Sequence, residues 1–339
     1  MEQTPLKFCG TAFPCVDKVA GGESMHRLLE KRIVFIVGKG GTGKSTLTTA
    51  LGMAAARLGK RVLLVEAGDG DSLGPIFVGE TLPDAPKALE TNIWGARINP
   101  RTVIDEYVHT FVPSGFLAGT ISRSSLFEHL AAATPGLKEV MTLGQIWRWE
   151  QSGHFDLIIV DAPATGHGLS LLRVPQTLLK MIRIGPIASQ TRTVLETLRD
   201  PAKTGIAQVT LAEELPTREA LEFEAGARDQ LNMAHDLIFI NSIYPDVFDR
   251  DEQVLIRSLL SSSPDALPDG VSAMLAIGGQ EINRRILQQA YIDKLSSRTA
   301  SALVEIPFFF SGTFGLDEIK DIATLFGNLM SKAEEVANA

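Results

Sequence analysis

Cysteine is nearly absent from this chain: its 339 residues include two, Cys9 and Cys15, both ahead of the first strongly apolar segment. A disulfide framework is excluded by number. The two thiols, with His26 beyond them, match no common zinc spacing, so no zinc is expected and they read as ordinary residues of a loose leader. Long apolar runs are missing too. No stretch approaches the roughly 20 residues of a membrane-spanning helix. Met1 to Glu30 is broken by Gly, Pro and charge and lacks the apolar core of a signal peptide, so a cytoplasmic location is expected. Excess positive charge is also lacking: 32 Lys and Arg against 40 Asp and Glu leave a formal net charge of -8. Nonspecific nucleic-acid binding needs a cationic surface, and no nucleic-acid partner is expected. Core material is plentiful, with 45% hydrophobic residues against 21% charged. That suits one large α/β domain or a core domain with a helical insertion.

The run GKGGTGKST, Gly38 to Thr46, follows the apolar stretch Ile33-Val34-Phe35-Ile36-Val37 and precedes a helical pattern from Ser45 to Leu58. It fits the phosphate-binding pattern G-x-x-x-x-G-K-[ST] in its strand–loop–helix setting. Gly40, Gly41 and Gly43 let backbone N–H groups converge on phosphate oxygens. The following helix adds its N-terminal partial charge. Lys44 is placed for the β- and γ-phosphates and Ser45 for Mg²⁺. The chain is expected to bind a nucleoside triphosphate, with Gly38, Thr42 and Thr46 completing the cradle.

Short continuous apolar runs separated by helical patterns predict a doubly wound, mostly parallel sheet covered on both faces. Strands are expected at Arg61–Val65, Ile93–Arg97, Phe155–Asp161, Gly205–Leu211, Asp236–Asn241 and Ala302–Ile306. Residues 1–30 read as a polar leader, poorly ordered until Met25-His26-Arg27-Leu28-Leu29 approaches the sheet, and 31–339 as the P-loop domain. Within it, about 101–150 and 168–200 carry apolar residues at helical spacing and predict an inserted helical subdomain. Its apolar faces either cover the sheet or form a groove for a client.

The loop also carries an early lysine, in Lys39-Gly40-Gly41-Thr42-Gly43-Lys44-Ser45. This form resembles the deviant Walker A ATPases, the P-loop class of MinD, ParA, the nitrogenase iron protein and the ArsA-type ATPases, grouped as SIMIBI. The resemblance implies that Lys39 crosses a homodimer interface on the P-loop face, where its cation meets developing phosphate charge. Asp161-Ala162-Pro163-Ala164-Thr165-Gly166-His167 follows a strong strand, and Asp161 at its end is placed to hold a magnesium-bound water. This segment is similar to the D-T-A-P-T-G-H of ArsA-type and tail-anchored-protein-targeting (Get/TRC) ATPases. Thr134–Glu139 and Ala212–Glu219 resemble further segments of that family in the same order. Asn241 matches its adenine-contacting asparagine, and Ile306-Pro307-Phe308 the start of its adenine loop. The chain is thus similar to this family over about residues 31–330, which implies ATP and Mg²⁺ as cofactors and ATP hydrolysis. His167 is assigned a structural or dimer-contact role.

Two departures stand out. The family places a water-positioning carboxylate after the second strand, but aligning Val65-Glu66-Ala67-Gly68-Asp69-Gly70-Asp71-Ser72-Leu73 on Leu73 puts Gly68 there. Asp69 is expected to substitute if the loop shifts, with Asp71 the alternative. Glu66 lies one side-chain alternation away, facing the sheet in a straight continuation of the strand. A missing group of this kind slows hydrolysis by about 10²–10⁴-fold. The second departure is cysteine: none beyond position 15 means no three-thiolate arsenite site, no CxxC zinc pair and no iron–sulfur cluster. Three functions stay open: a homodimeric ATPase controlling a protein client or membrane partner, a nucleotide-gated scaffold that does not hydrolyse, and a MinD/ParA-like positioning ATPase.

Overall fold

The computed structural model describes residues 18–68, 71–99, 102–103, 136–261 and 269–337. Its centre is an eight-stranded sheet. The strands are β1 Ile33–Gly38, β2 Val62–Glu66, β3 Lys87–Glu90, β4 Ile93–Arg97, β5 Leu157–Asp161, β6 Thr204–Leu211, β7 Leu237–Ile243 and β8 Ala302–Pro307. They run in the order β3-β4-β2-β5-β1-β6-β7-β8, all parallel except β3, which pairs antiparallel with β4. This is the α/β, mostly parallel architecture expected of a P-loop fold. From β1 the chain crosses to β2 on one side of the sheet and from β5 to β6 on the other, so the adjacent C-terminal ends of β1 and β5 form the switch point where ligands bind in open α/β sheets. β3 has no signature in the sequence: Lys87-Ala88-Leu89-Glu90 is a short, largely exposed edge strand without an apolar run.

The helices are α1 Lys18–Leu29, α2 Lys44–Arg57, α3 Leu73–Phe77, α4 Leu137–Gln151, α5 Thr165–Met181, α6 Pro186–Arg199, α7 Glu214–Gly226, α8 Arg250–Ser261, α9 Asp269–Ser296 and α10 Leu316–Ala337. Every residue of β1 is buried. Val34 and Ile36 enter one core cluster with α1, α2 and α10, while Phe35 and Val37 enter another with α4, α5 and α6. Burial on both faces is why the strand reads as an unbroken apolar run.

The reading of residues 1–30 as a leader poorly ordered until 25–29 does not hold for 18–24, which are helical together with 25–29. Residues 18–29 are α1, with Met25, Leu28 and Leu29 fully or almost fully buried. Gly21-Gly22 looks like a helix breaker in sequence, but a Cβ on Gly22 would lie 2.3 Å from the Leu329 carbonyl oxygen of α10. The glycine serves close helix packing. Cys9 and Cys15 lie outside the described residues.

Much of the 101–150 stretch also lies outside the described residues. In the part described, Met141, Ile146, Leu171, Leu172, Val194 and Leu198 pack in the same cluster as Phe35, Val37 and Val160. Those apolar faces of α4, α5 and α6 cover the sheet. Exposed apolar surface is found instead on α8 and α9, at Val254, Leu255, Met274, Ile277 and Leu287. No helix among the described residues is long and apolar enough to cross a membrane.

Candidate functional site

The loop after β1 is built by side chains that tie it to itself and to two neighbouring strands. Thr42 is 1% exposed, and its hydroxyl donates to the Lys39 carbonyl at 2.9 Å. Lys44 Nζ donates to the same carbonyl at 3.3 Å, so the lysine arches back over the loop. Burial lowers the Lys44 pKa, opposed by the nearby Asp161 charge. Gly43 takes φ 95°, and any Cβ there would lie 2.3 Å from Asn241 Nδ2. Gly38 ends β1, Gly40 and Gly41 lie along the turn, and Ser45 and Thr46 are in the first turn of α2.

Ser45 Oγ donates to Asp161 Oδ2 at 2.5 Å, joining the start of α2 to the end of β5. Asp161 is 7% exposed, and its other oxygen, Oδ1, is buried without a partner. Burial pushes the Asp161 carboxyl up to about 6 against the pull of the Ser45 bond and Lys44, and a neighbouring Glu66 charge pushes the same way. A hydroxyl and an under-coordinated carboxylate at a phosphate loop form an oxygen donor set that suits Mg²⁺.

Asn241 bonds the loop directly. Its Nδ2 donates to the Thr42 carbonyl at 2.8 Å and its Oδ1 accepts the Ser242 N–H at 2.9 Å. The strand is distorted here, with Ser242 at φ 60° and a register shift against β8 between Ile240 and Ile243. Pro307 ends β8, and the Phe308 N–H donates to the Ile243 carbonyl at 2.8 Å. The Phe308 ring stacks on Tyr244 with centroids 4.6 Å apart, and the Arg284 guanidinium lies 4.6 Å from the Tyr244 centroid. Asn241 thus touches the loop directly, while Pro307 and Phe308 lie against Ile243 and Tyr244, just beyond Asn241 at the end of β7. Tyr244 and Arg284 belong to the cluster but follow no motif and were not legible in the sequence.

Lys39 Nζ forms an ion pair with Glu219 Oε1 of α7 at 3.6 Å, both side chains partly exposed. Glu219 closes the segment Ala212–Glu219, which the sequence marked only by its resemblance to the family, with neither a place at the site nor a partner. On the β2 side, Gly68 has room: a Cβ there would meet Pro163 Cα and Cβ at 3.5 Å, ordinary contact distance. Asp69 lies outside the described residues, as does the His167 side chain. Asp71 is turned to the surface, accepting the Thr81 hydroxyl at 2.5 Å. Glu66 is 2% exposed; its Oε1 accepts the N–H groups of Ser72 at 2.5 Å and Leu73 at 3.4 Å.

Against known proteins, residues 31–190 match the family model described as anion-transporting ATPase. The chain is 31% identical to the ATPase BagA of Mycobacterium tuberculosis over 60% of its own length and 64% of that protein. It is 22% identical, over 90% of itself and 46% of the relative, to a Halobacterium salinarum protein named as an arsenical pump-driving ATPase. It is 28% identical to the ATPase GET3 of Rhodotorula glutinis over 53% of itself and 55% of that protein. The matches therefore span less than two thirds of each relative's length. With the loop, the Asp161 strand end and the parallel sheet, they make residues 31–190 similar to the anion-transporting ATPase family.

Proposed function

We propose that this chain is a Mg²⁺-dependent ATPase that binds ATP in the loop Gly38–Thr46 and closes as a homodimer on that face. The observation that carries the reading is the Ser45–Asp161 bond at 2.5 Å, which brings the two magnesium-site residues together beside Lys44. In this account backbone N–H groups and Lys44 hold the phosphates, and Ser45 and Asp161 hold Mg²⁺, which when bound neutralises phosphate charge. Asn241, Pro307 and Phe308 border the base. Lys39 leaves Glu219 and reaches the phosphates of the partner subunit. Asp69 supplies the carboxylate absent at Gly68.

Closure would control a protein client or a membrane partner, and the cysteine pattern speaks against arsenite. The exposed apolar residues of α8 and α9 support a protein partner. The MinD/ParA-like alternative calls for a surface-anchoring helix. In α10 the apolar face is spent on the core, with Ile319, Ile322, Phe326 and Met330 buried. The scaffold alternative is favoured by one feature, the glycine at position 68. ATP titration by calorimetry, with wild type beside Lys44→Ala, tests the reading. Binding lost in the variant supports it; equal heats in both proteins contradict it.

A further inference from the structure

We propose that Glu66 is the second carboxylate of the cation site, standing beside Asp161 with a free oxygen that faces a divalent ion or its bound water. This inference rests on the nucleotide-site reading and deepens it.

β2 and β5 are adjacent and parallel, and in their register Glu66 is the direct partner of Asp161. Neighbouring strands lie about 4.8 Å apart. Side chains at the same register point to the same face of the sheet. Both residues end their strands, at the edge where the phosphate loop leaves β1. Two carboxylates are therefore held side by side at the C-terminal edge of the sheet.

Both are nine-tenths or more buried, at 2% and 7% exposure, and each keeps one oxygen without a partner: Glu66 Oε2 and Asp161 Oδ1. Each one's other oxygen is occupied, Asp161 Oδ2 by Ser45 and Glu66 Oε1 by the Ser72 and Leu73 N–H groups. A buried anionic oxygen with no donor costs several kcal/mol or drives protonation. Two of them in register cost more still, and the nearby charges of Lys44 on Asp161 and Arg97 on Glu66 leave both oxygens unbonded, so a divalent cation between or beside them would lower that cost. Mg²⁺ characteristically takes one or two carboxylates together with phosphate and water. Among the described residues no group of three or more His, Cys, Asp or Glu side chains could hold a metal alone. A pair completed by Ser45 and the phosphates fits that pattern.

The plainer role for Glu66 is to cap α3, whose first N–H groups it accepts. That role occupies Oε1 and leaves Oε2 unexplained. The substitution Glu66→Gln separates the two roles, since a glutamine keeps the Oε1 acceptor and removes the negative charge. Outer carboxylates around a metal site contribute about 10–100-fold to metal affinity.

The test is Mn²⁺ binding followed by electron paramagnetic resonance in the presence of ADP, on wild type, Asp161→Asn and Glu66→Gln. ADP affinity of the wild type without metal is measured first. If the wild type binds no ADP, the nucleotide-site reading fails and this inference with it. If ADP binds, the inference expects Mn²⁺ affinity to fall at least tenfold in Glu66→Gln, in the direction of Asp161→Asn. Loss in Asp161→Asn with Glu66→Gln within twofold of wild type would leave Glu66 as a cap alone. Should Glu66→Gln fail to fold, infrared difference spectra of the wild-type ADP complex with and without Mg²⁺ decide. A glutamate carboxylate band that shifts on ¹³C labelling of glutamate supports the inference, and its absence overturns it.

Discussion

Replacing Gly68 by aspartate tests whether this chain is a slow version of an otherwise complete ATPase. A Cβ at position 68 has no contact closer than 3.5 Å, to Pro163, and the backbone is outside the left-handed region, so the side chain enters without strain. Losing a glycine stabilises by about 0.4–1 kcal/mol through the unfolded chain. Against this stands repulsion from Glu66 and Asp161. At roughly 6 Å and an effective dielectric of about 20, each pair is worth about 3 kcal/mol. Partial exposure of position 68 reduces the two together to about 1 kcal/mol. The expected net is a loss of up to about 1 kcal/mol without Mg²⁺, a Tm change of about 1–2 °C for a chain of this size, regained with Mg²⁺ and ADP. Turnover, measured as steady-state phosphate release at saturating Mg-ATP, should rise by about 10²-fold or more if no group now orients the water. If Asp69 fills that role, Asp69→Asn should lose turnover and Gly68→Asp should restore it in the double variant. Unchanged turnover in Gly68→Asp and in Asp69→Asn, with fold and ATP binding intact, would refute the reasoning.

Gly43→Ala should cost about 3 kcal/mol, combining left-handed strain of about 1–2 kcal/mol with loss of the Asn241–Thr42 bond at about 1 kcal/mol; urea denaturation measures it, and a loss below about 1 kcal/mol would mean the loop relaxes freely. Glu219→Gln should favour ATP-driven dimerisation by no more than about thirtyfold, since the dimer breaks two partly exposed ion pairs, each worth up to about 1 kcal/mol; sedimentation velocity with Mg-ATP reads it, and weaker dimerisation would assign Glu219 to the closed state. His235 is held neutral, burial pushing its pKa down to about 4 from 6.5. Its ring nitrogens contact Ser301 Oγ at 2.7 Å and Gln208 Oε1 at 3.0 Å. Between pH 6.5 and 4 the unfolded chain binds the extra proton, so stability should fall as pH falls through that window, by up to about 3 kcal/mol. Chemical denaturation at pH 7 and 5 should show the loss, and His235→Gln should flatten it; a slope unchanged in the variant would assign it to other groups.

The buried strands were readable because each is an unbroken apolar run, and the loop was readable because its glycines, lysines and serine are spaced by the geometry of a phosphate. What escaped is what depends on tertiary approach. α1 is hidden by Gly21-Gly22, of which Gly21 packs against Leu303 and Val304 of β8 and Gly22 against Leu329 of α10, about three hundred residues on. β3 has little hydrophobic signal because it lies at an edge. At the site, Asp161 was evident as the last residue of a buried strand followed by a Pro/Gly-rich turn. Glu66 ends its strand in the same way, but only the β2–β5 register shows it beside Asp161. The Lys39–Glu219 pair joins positions 180 residues apart, and no local pattern encodes it.

Steady-state hydrolysis of Mg-ATP by the wild type beside Lys39→Ala and Lys44→Ala tests the central claim most directly. The account predicts measurable turnover in the wild type, lost in both variants, with ATP binding kept in Lys39→Ala and lost in Lys44→Ala. Turnover in Lys44→Ala equal to wild type, or no ATP binding by the wild type, would contradict it.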